Sequence, residues 1–155
     1  MKKFRFQLET LLKVTKRKKE EAEIKFAEAS RILEERRQQL QQFLIEMQEG
    51  QRDYEKLMKE GKKVTVDSIM IYTSYINFKR EQIEKQQQLI MEAKARKQER
   101  LDELLKRMNK LKSIEQLKEK RFQQYQEEVL AEEQKMLDEI GLQLTMRGRK
   151  EEGQA

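Results

Sequence analysis

The chain has 155 residues, 41% of them charged and 36% apolar, a balance that suits a coiled coil and is too poor in apolar residues for the broad core of a compact bundle. It contains no cysteine and no histidine, which excludes disulfides and thiolate metal sites and removes the commonest general base and metal ligand. A net charge of +6 permits an acidic partner without requiring one.

The first residues, MKKFRFQLETLLK, carry two lysines but no apolar stretch behind them, so no signal peptide is expected. No apolar run is long enough to span a bilayer, and a soluble cytoplasmic protein is expected. From about residue 4 to about residue 60 a heptad is continuous. One row runs Leu12, Lys19, Phe26, Leu33, Leu40, Met47 and Tyr54, and the other runs Leu8, Thr15, Ala22, Ala29, Arg36, Phe43, Gly50 and Leu57. The 3-4 spacing predicts a helix with a left-handed coiled-coil seam, interrupted by Lys19 and Arg36.

The stretch EGKKVTVDS, residues 60–68, breaks the pattern. Lys56 and Lys59 suit the negative end of a helix dipole, and Gly61 suits the left-handed position after it. The β-branched Val64, Thr65 and Val66 suit an extended link. Asp67 is the expected N-cap of the next helix, with Val66 and Ile71 as a hydrophobic staple. A turn over about 61–67 joins antiparallel neighbours; the alternative is one longer helix with a kink.

The second helix is expected over about 68–145. It opens with rows Ile69, Ile76, Ile83, Ile90 and Tyr72, Lys79, Gln86, Ala93. After Lys97 the apolar residues move over to Leu101, Met108, Glu115, Phe122, Val129 and Met136, with Leu104, Leu111, Lys118 and Tyr125, which predicts a stutter. Five i,i+4 pairs should support the solvated faces: Glu9–Lys13, Glu21–Lys25, Glu81–Lys85, Glu92–Arg96 and Glu103–Arg107. The fold class is therefore all-α, a long antiparallel two-helix hairpin whose second helix is the longer. Residues 1–145 form this single domain, and 146–155 are expected to be a flexible tail.

Facing Tyr54 with Tyr72 puts Phe4 near Phe122. The second helix then outruns the first from about residue 123, where Tyr125, Val129, Met136 and Ile140 still mark an apolar stripe. An amphipathic helix with nothing in its own chain to pack against calls for a partner. Near the turn, IMIY and YINF carry more apolar surface than a two-helix seam uses, which favours protein partners there, unless the local core at the turn is thicker.

No catalytic constellation is present. The glycines, at 50, 61, 141, 148 and 153, form no phosphate-binding loop, and the serines have no histidine to activate them. Carboxylate pairs such as Glu127/Glu128 lie on a helix surface without a pocket to split their pKa values. No enzyme activity and no cofactor are expected. The basic run Lys13, Lys16, Arg17, Lys18, Lys19 admits two readings, an anion-binding face or a solvated face balanced by Glu20, Glu21 and Glu23.

Three stretches resemble the FliJ proteins of the bacterial flagellar type III export apparatus: FRFQLETLLKVTKRKKEEAE, RDYEKLMKEGKKVTVDSIMIYTSYI and KRFQQYQEEVLAEEQKMLDEI. The F-x-F start, the turn after Y-x-x-L, the following Y-x-x-Y-I and the MLDEI ending carry the likeness. The resemblance implies an antiparallel coiled coil similar to the two-helix part of a rotary ATPase γ subunit. It implies a non-enzymatic stalk and adaptor that inserts its termini into the hexameric export ATPase, promotes ring assembly and couples the ring to the export gate protein FlhA. The ATPase regulator FliH and export chaperones are further implied partners, with a location at the cytoplasmic face of the inner membrane.

By the same resemblance the gate surface falls on Phe43, Met47, Gly50, Tyr54, Tyr75, Lys79, Gln82 and Gln86, and the apolar excess near the turn adds Tyr72 and Ile76 to it. Lys79 and Gly50 depart there from the apolar and aromatic residues the family often has. The ring surface falls on Phe4, Phe6, Leu8, Lys16, Arg17, Phe122, Tyr125, Val129, Met136 and Ile140. A virulence-type secretion stalk is a close variant. Two further readings come from other classes: a basic coiled coil binding nucleic acid through Lys13–Lys19, and a homodimeric spacer. The aromatic residues cluster away from the basic run, so no base-stacking platform accompanies it and no nucleic acid is expected as the partner.

Overall fold

The computed structural model describes residues 2–60 and 65–153. Two helices make up the fold, α1 (Glu9–Lys59, 51 residues) and α2 (Val66–Gly153, 88 residues), and they pack as an antiparallel hairpin with the second helix longer. The expected positions of Gly61 and Val64 in the turn lie outside the described residues. The chain divides into two units, residues 18–107 and residues 1–17 with 108–155.

In the 18–107 unit the seam of α1 follows the expected rows. Ala22, Ala29 and Leu33 are buried, and Phe26, Leu40, Met47 and Tyr54 are half-buried. Leu33, Ile90 and Ala93 form the core cluster, flanked by Ile32 and Leu40. Tyr54 stacks on Tyr72, ring centroids 4.0 Å apart and planes at 8°, so the register expected from these two residues holds. Arg36, a polar break in the rows, turns its side chain to solvent. The position opposite is taken by buried Gln86, whose Nε2 donates to the Arg36 carbonyl at 2.9 Å, so neither polar group is left unmet.

The stutter expected after Lys97 lies further along, where Ile114, Lys118 and Phe122 follow one another at two four-residue steps. Burial along α2 keeps strict 3-4 steps through Gln86, Ile90, Ala93, Lys97, Arg100, Leu104, Arg107, Leu111 and Ile114. Met108 and Glu115, expected in the seam, are exposed. Long cationic side chains hold the seam positions instead, laying their methylene stems along it with the charge at the edge; Lys97 Nζ lies 5.8 Å from the Phe26 ring centre. Counting Arg100 and Arg107 as polar pulls the apparent seam one residue aside.

The start of α2 also differs from expectation. Thr65, not Asp67, is the N-cap: its Oγ1 accepts the Ser68 backbone N–H at 3.2 Å and shares a 2.9 Å hydrogen bond with Ser68 Oγ, the N-cap to N3 geometry. Asp67 then falls in the first turn, where its charge suits the helix dipole. The Val66–Ile71 staple does not form; both side chains are exposed, being displaced from the staple positions by the earlier cap.

In the unit of residues 1–17 and 108–155, α1 begins at Glu9 rather than near residue 4, and residues 2–6 are not helical. Phe4 and Phe6 alternate with basic residues in this segment, a two-residue period that suits extended chain. Phe4 packs edge-on against Phe122 at 5.3 Å and lies 5.6 Å from Tyr125, as the register requires. Tyr125 Oη donates to the Lys2 carbonyl at 2.7 Å. Extended chain advances about 3.3 Å per residue against 1.5 Å in a helix, so these residues cover more of α2 than a helical start would. The uncovered stretch consequently begins at Leu130 rather than near 123, and every residue from there to Gly153 is exposed. The helix also continues through the expected tail to Gly153.

Of the five expected i,i+4 ion pairs, Glu103–Arg107 closes at 3.0 Å, while Glu9 pairs instead with Lys118 at 3.0 Å. These are exposed or half-exposed pairs, and such pairs contribute little.

Candidate partner-docking surfaces

The 18–107 unit carries an aromatic groove. Its floor is the Tyr54–Tyr72 stack with Tyr75, and its walls include Glu49, Asp53, Leu57 and Ile71, enclosing about 580 Å³. Gly50 makes this floor possible. A Cβ there would stand 2.5 Å from Tyr75 Cε1, so the ring lies directly over the α1 backbone and its hydroxyl reaches the Glu46 carbonyl at 3.0 Å. The glycine that departs from the family's pattern is thus a close approach between helices.

Lys79, the other departure, is only 8% exposed. Its ammonium pairs with the Glu46 carboxylate and lies 5.4 Å from the Phe43 ring centre and 5.7 Å from that of Tyr75. The buried cation therefore has a carboxylate and two ring faces in place of water. Hydrogen bonding from the Lys79 ammonium, and secondarily from the Gln42 amide, holds the Glu46 carboxyl below the usual carboxylate range.

The expected gate residues therefore separate. Ile76, Lys79 and Gln86 are buried in the seam, and their side chains are engaged in holding the helices together. Phe43, Met47 and Gln82 are half-buried, with Gln82 Oε1 unpaired among the described residues. Tyr54, Tyr72 and Tyr75 line the open groove. Nearby Met70, Ile71 and Phe78 are 62%, 71% and 56% exposed, so the apolar excess around the turn faces solvent rather than thickening the core. Sequence reasoning missed Glu49 and Asp53. The signal was available, since both share a helix face with Tyr54's neighbours at three- and four-residue spacing.

The other unit offers a different surface. Phe4, Phe122 and Tyr125 form one aromatic cluster, Phe6 is half-buried and Leu8 exposed, and Val129 is half-buried at the end of the covered stretch. Beyond it Leu130, Met136, Leu137, Ile140 and Leu144 are exposed. With Val129 they fall within an arc of about 120° on the helix. Sequence reasoning found Met136 and Ile140 here and missed Leu130, Leu137 and Leu144, which complete the stripe. Lys16 and Arg17 are exposed on α1. Lys19, in the other unit, is half-buried and pairs with Glu23 at 3.0 Å. No helix of the described residues is long and apolar enough to cross a membrane.

The fold is similar to that of a putative YscO homolog, CT670, from Chlamydia trachomatis, with a TM-score of 0.65, 22% identity, and coverage of 96% of this chain and 99% of that one. No curated protein matches the chain. The family described as flagellar FliJ protein matches residues 4–150, nearly the whole hairpin with both surfaces, and the chain belongs to that family of proteins associated with type III export.

Proposed function

We propose that the protein is a non-enzymatic stalk and adaptor of the flagellar export ATPase, acting by binding alone. The unit formed by the termini enters the central hole of the hexameric ring, where the stripe from Val129 to Leu144 meets ring subunits and promotes their assembly. The aromatic groove of the other unit meets the export gate protein FlhA. FliH and export chaperones are further partners, and the protein works at the cytoplasmic face of the inner membrane through these contacts. The observation that carries this reading is the apolar stripe left uncovered by the described residues: five large apolar side chains on one helical face, all more than half exposed, need a surface to cover them.

The test is ATP hydrolysis by the export ATPase from the same cell, with the full chain and with a truncation ending at Val129. Stimulation by the full chain and its loss on truncation are the expected results. Equal stimulation by both would refute the ring contact. Because the removed residues are solvent-exposed, the truncated chain should unfold at nearly the temperature of the full one, which separates lost contact from lost fold.

A further inference from the structure

We propose that the aromatic groove takes a segment of a protein partner that presents an arginine or lysine flanked by apolar residues. This rests on reading the groove as a partner-docking surface and adds what the partner must bring to it. In a chain of net charge +6, each carboxyl or amine side chain on the groove wall among the described residues is a carboxylate: Glu46, Glu49 and Asp53. Glu46 is already engaged by Lys79. Glu49 and Asp53 are exposed, four residues apart on one face of α1, and form no ion pair among the described residues. Like charges at this spacing repel mildly, and a cation between them would relieve that repulsion.

The same groove is lined by Tyr54, Tyr72 and Tyr75 together with Leu57 and Ile71. A purely apolar partner would cover the carboxylates without compensating their lost hydration, and an acidic one would be repelled. An arginine or lysine uses both parts. Its methylene stem lies on the rings and its head meets the carboxylates, with cation–π attraction added. The protein contains an internal precedent at the same ring: the Lys79 ammonium sits between the Glu46 carboxylate and the Tyr75 face. The groove offers a partner the combination that Lys79 occupies from within the seam.

Three of the chain's four tyrosines line this groove and there is no tryptophan, so tyrosine ring signals report on it. The probe is a capped twelve-residue leucine/alanine helix peptide carrying two arginines four apart, compared with the same peptide bearing glutamines, titrated against the full chain by NMR. Saturable shifts of Tyr54, Tyr72 and Tyr75 are expected with the arginine peptide, and about tenfold weaker binding with glutamine, as for a close charge pair. The double variant Glu49→Gln/Asp53→Asn should erase that preference while its circular dichroism stays unchanged. No shift with the arginine peptide, equal binding of both peptides, or a preference that survives in the double variant would each overturn the inference.

A second arm measures binding of the gate's cytoplasmic domain. Gate binding lost in Tyr54→Ala but intact in the double variant would leave the gate reading standing and overturn the basic-segment inference. Gate binding intact in Tyr54→Ala, with peptide binding still dependent on the carboxylates, would remove the gate from the groove and support the inference for another partner.

Discussion

The seam of the 18–107 unit and the last two dozen residues of α2 stand in opposite circumstances. In the first, the two buried polar side chains meet specific counterparts, Gln86 the Arg36 carbonyl and Lys79 the Glu46 carboxylate, and Gln82 Oε1 alone among the buried polar atoms of the described residues is left unpaired. In the second, large apolar side chains face water with no counterpart among the described residues. Polar residues inside and apolar residues outside both depart from the simple rule for a coiled coil, and the difference lies in whether this chain completes the interaction. Where it does, the departure fixes register. Where it does not, an apolar face stays open to solvent, and that face is what the proposed ring contact would cover.

The widest gap between the two regions should appear on removing the same side chain from each. Leu33 is 3% exposed and Leu137 63%. Leu33→Ala is expected to cost about 2–5 kcal/mol in urea unfolding, from lost transfer energy and the cavity left behind. Leu137→Ala should stay within about 0.5 kcal/mol and register only when the ring is present. A large stability loss at Leu137 would mean that the exposed stripe is already covered in the free protein, and would break the comparison.

A smaller effect is expected at Gly50. Alanine there gains roughly 1 kcal/mol of helix propensity but forces the Tyr75 ring aside, at about 1–3 kcal/mol for overpacking. A net loss of about 1 kcal/mol is expected from these opposing terms, together with a shift of the Tyr75 ring signals as its bond to the Glu46 carbonyl is lost. Unchanged ring signals would mean that the close approach does not hold the groove floor.

The smallest effect concerns pH. The Glu46 carboxyl titrates below its ordinary value because Lys79 and Gln42 hydrogen-bond its ionised form. The stability this contributes is present above the unfolded carboxylate pKa and is lost as pH falls through the lowered folded value. Glu46→Gln should flatten that part of the unfolding profile. A profile unchanged by the substitution would show that solvent screens the pair and that the seam does not depend on it.

Much of the hairpin was legible because aromatic residues mark its register at two places, Tyr54 with Tyr72 and Phe4 with Phe122. A one-residue slip would have separated both pairs. The seam after Lys97 was less legible because hydropathy counts Arg100 and Arg107 by their charge, whereas packing uses their stems. The cap was misplaced because Thr65 and Asp67 are both competent, and only the backbone reveals which hydroxyl or carboxylate stands three residues before a free N–H. The groove's acidic wall was hidden for another reason: Glu49 and Asp53 resemble any solvated helix face until the tyrosines opposite give them a floor.

Beyond Val129 the helix depends on helix–coil equilibrium more than on packing. The packed turns before it supply the nucleus, so each later residue need only propagate. Gln134 and Thr145 add short local bonds, to Asp138 at 3.2 Å and to the Gly141 carbonyl at 2.9 Å, but Gly141 and Gly148 each cost about 1 kcal/mol of propagation relative to alanine. Amide hydrogen exchange should therefore quicken in two steps, after Gly141 and again after Gly148. A segment with this gradient is helical at its base and winds from there toward the C-terminal end, so a partner that covered it would find part of the ordering entropy already met in folding.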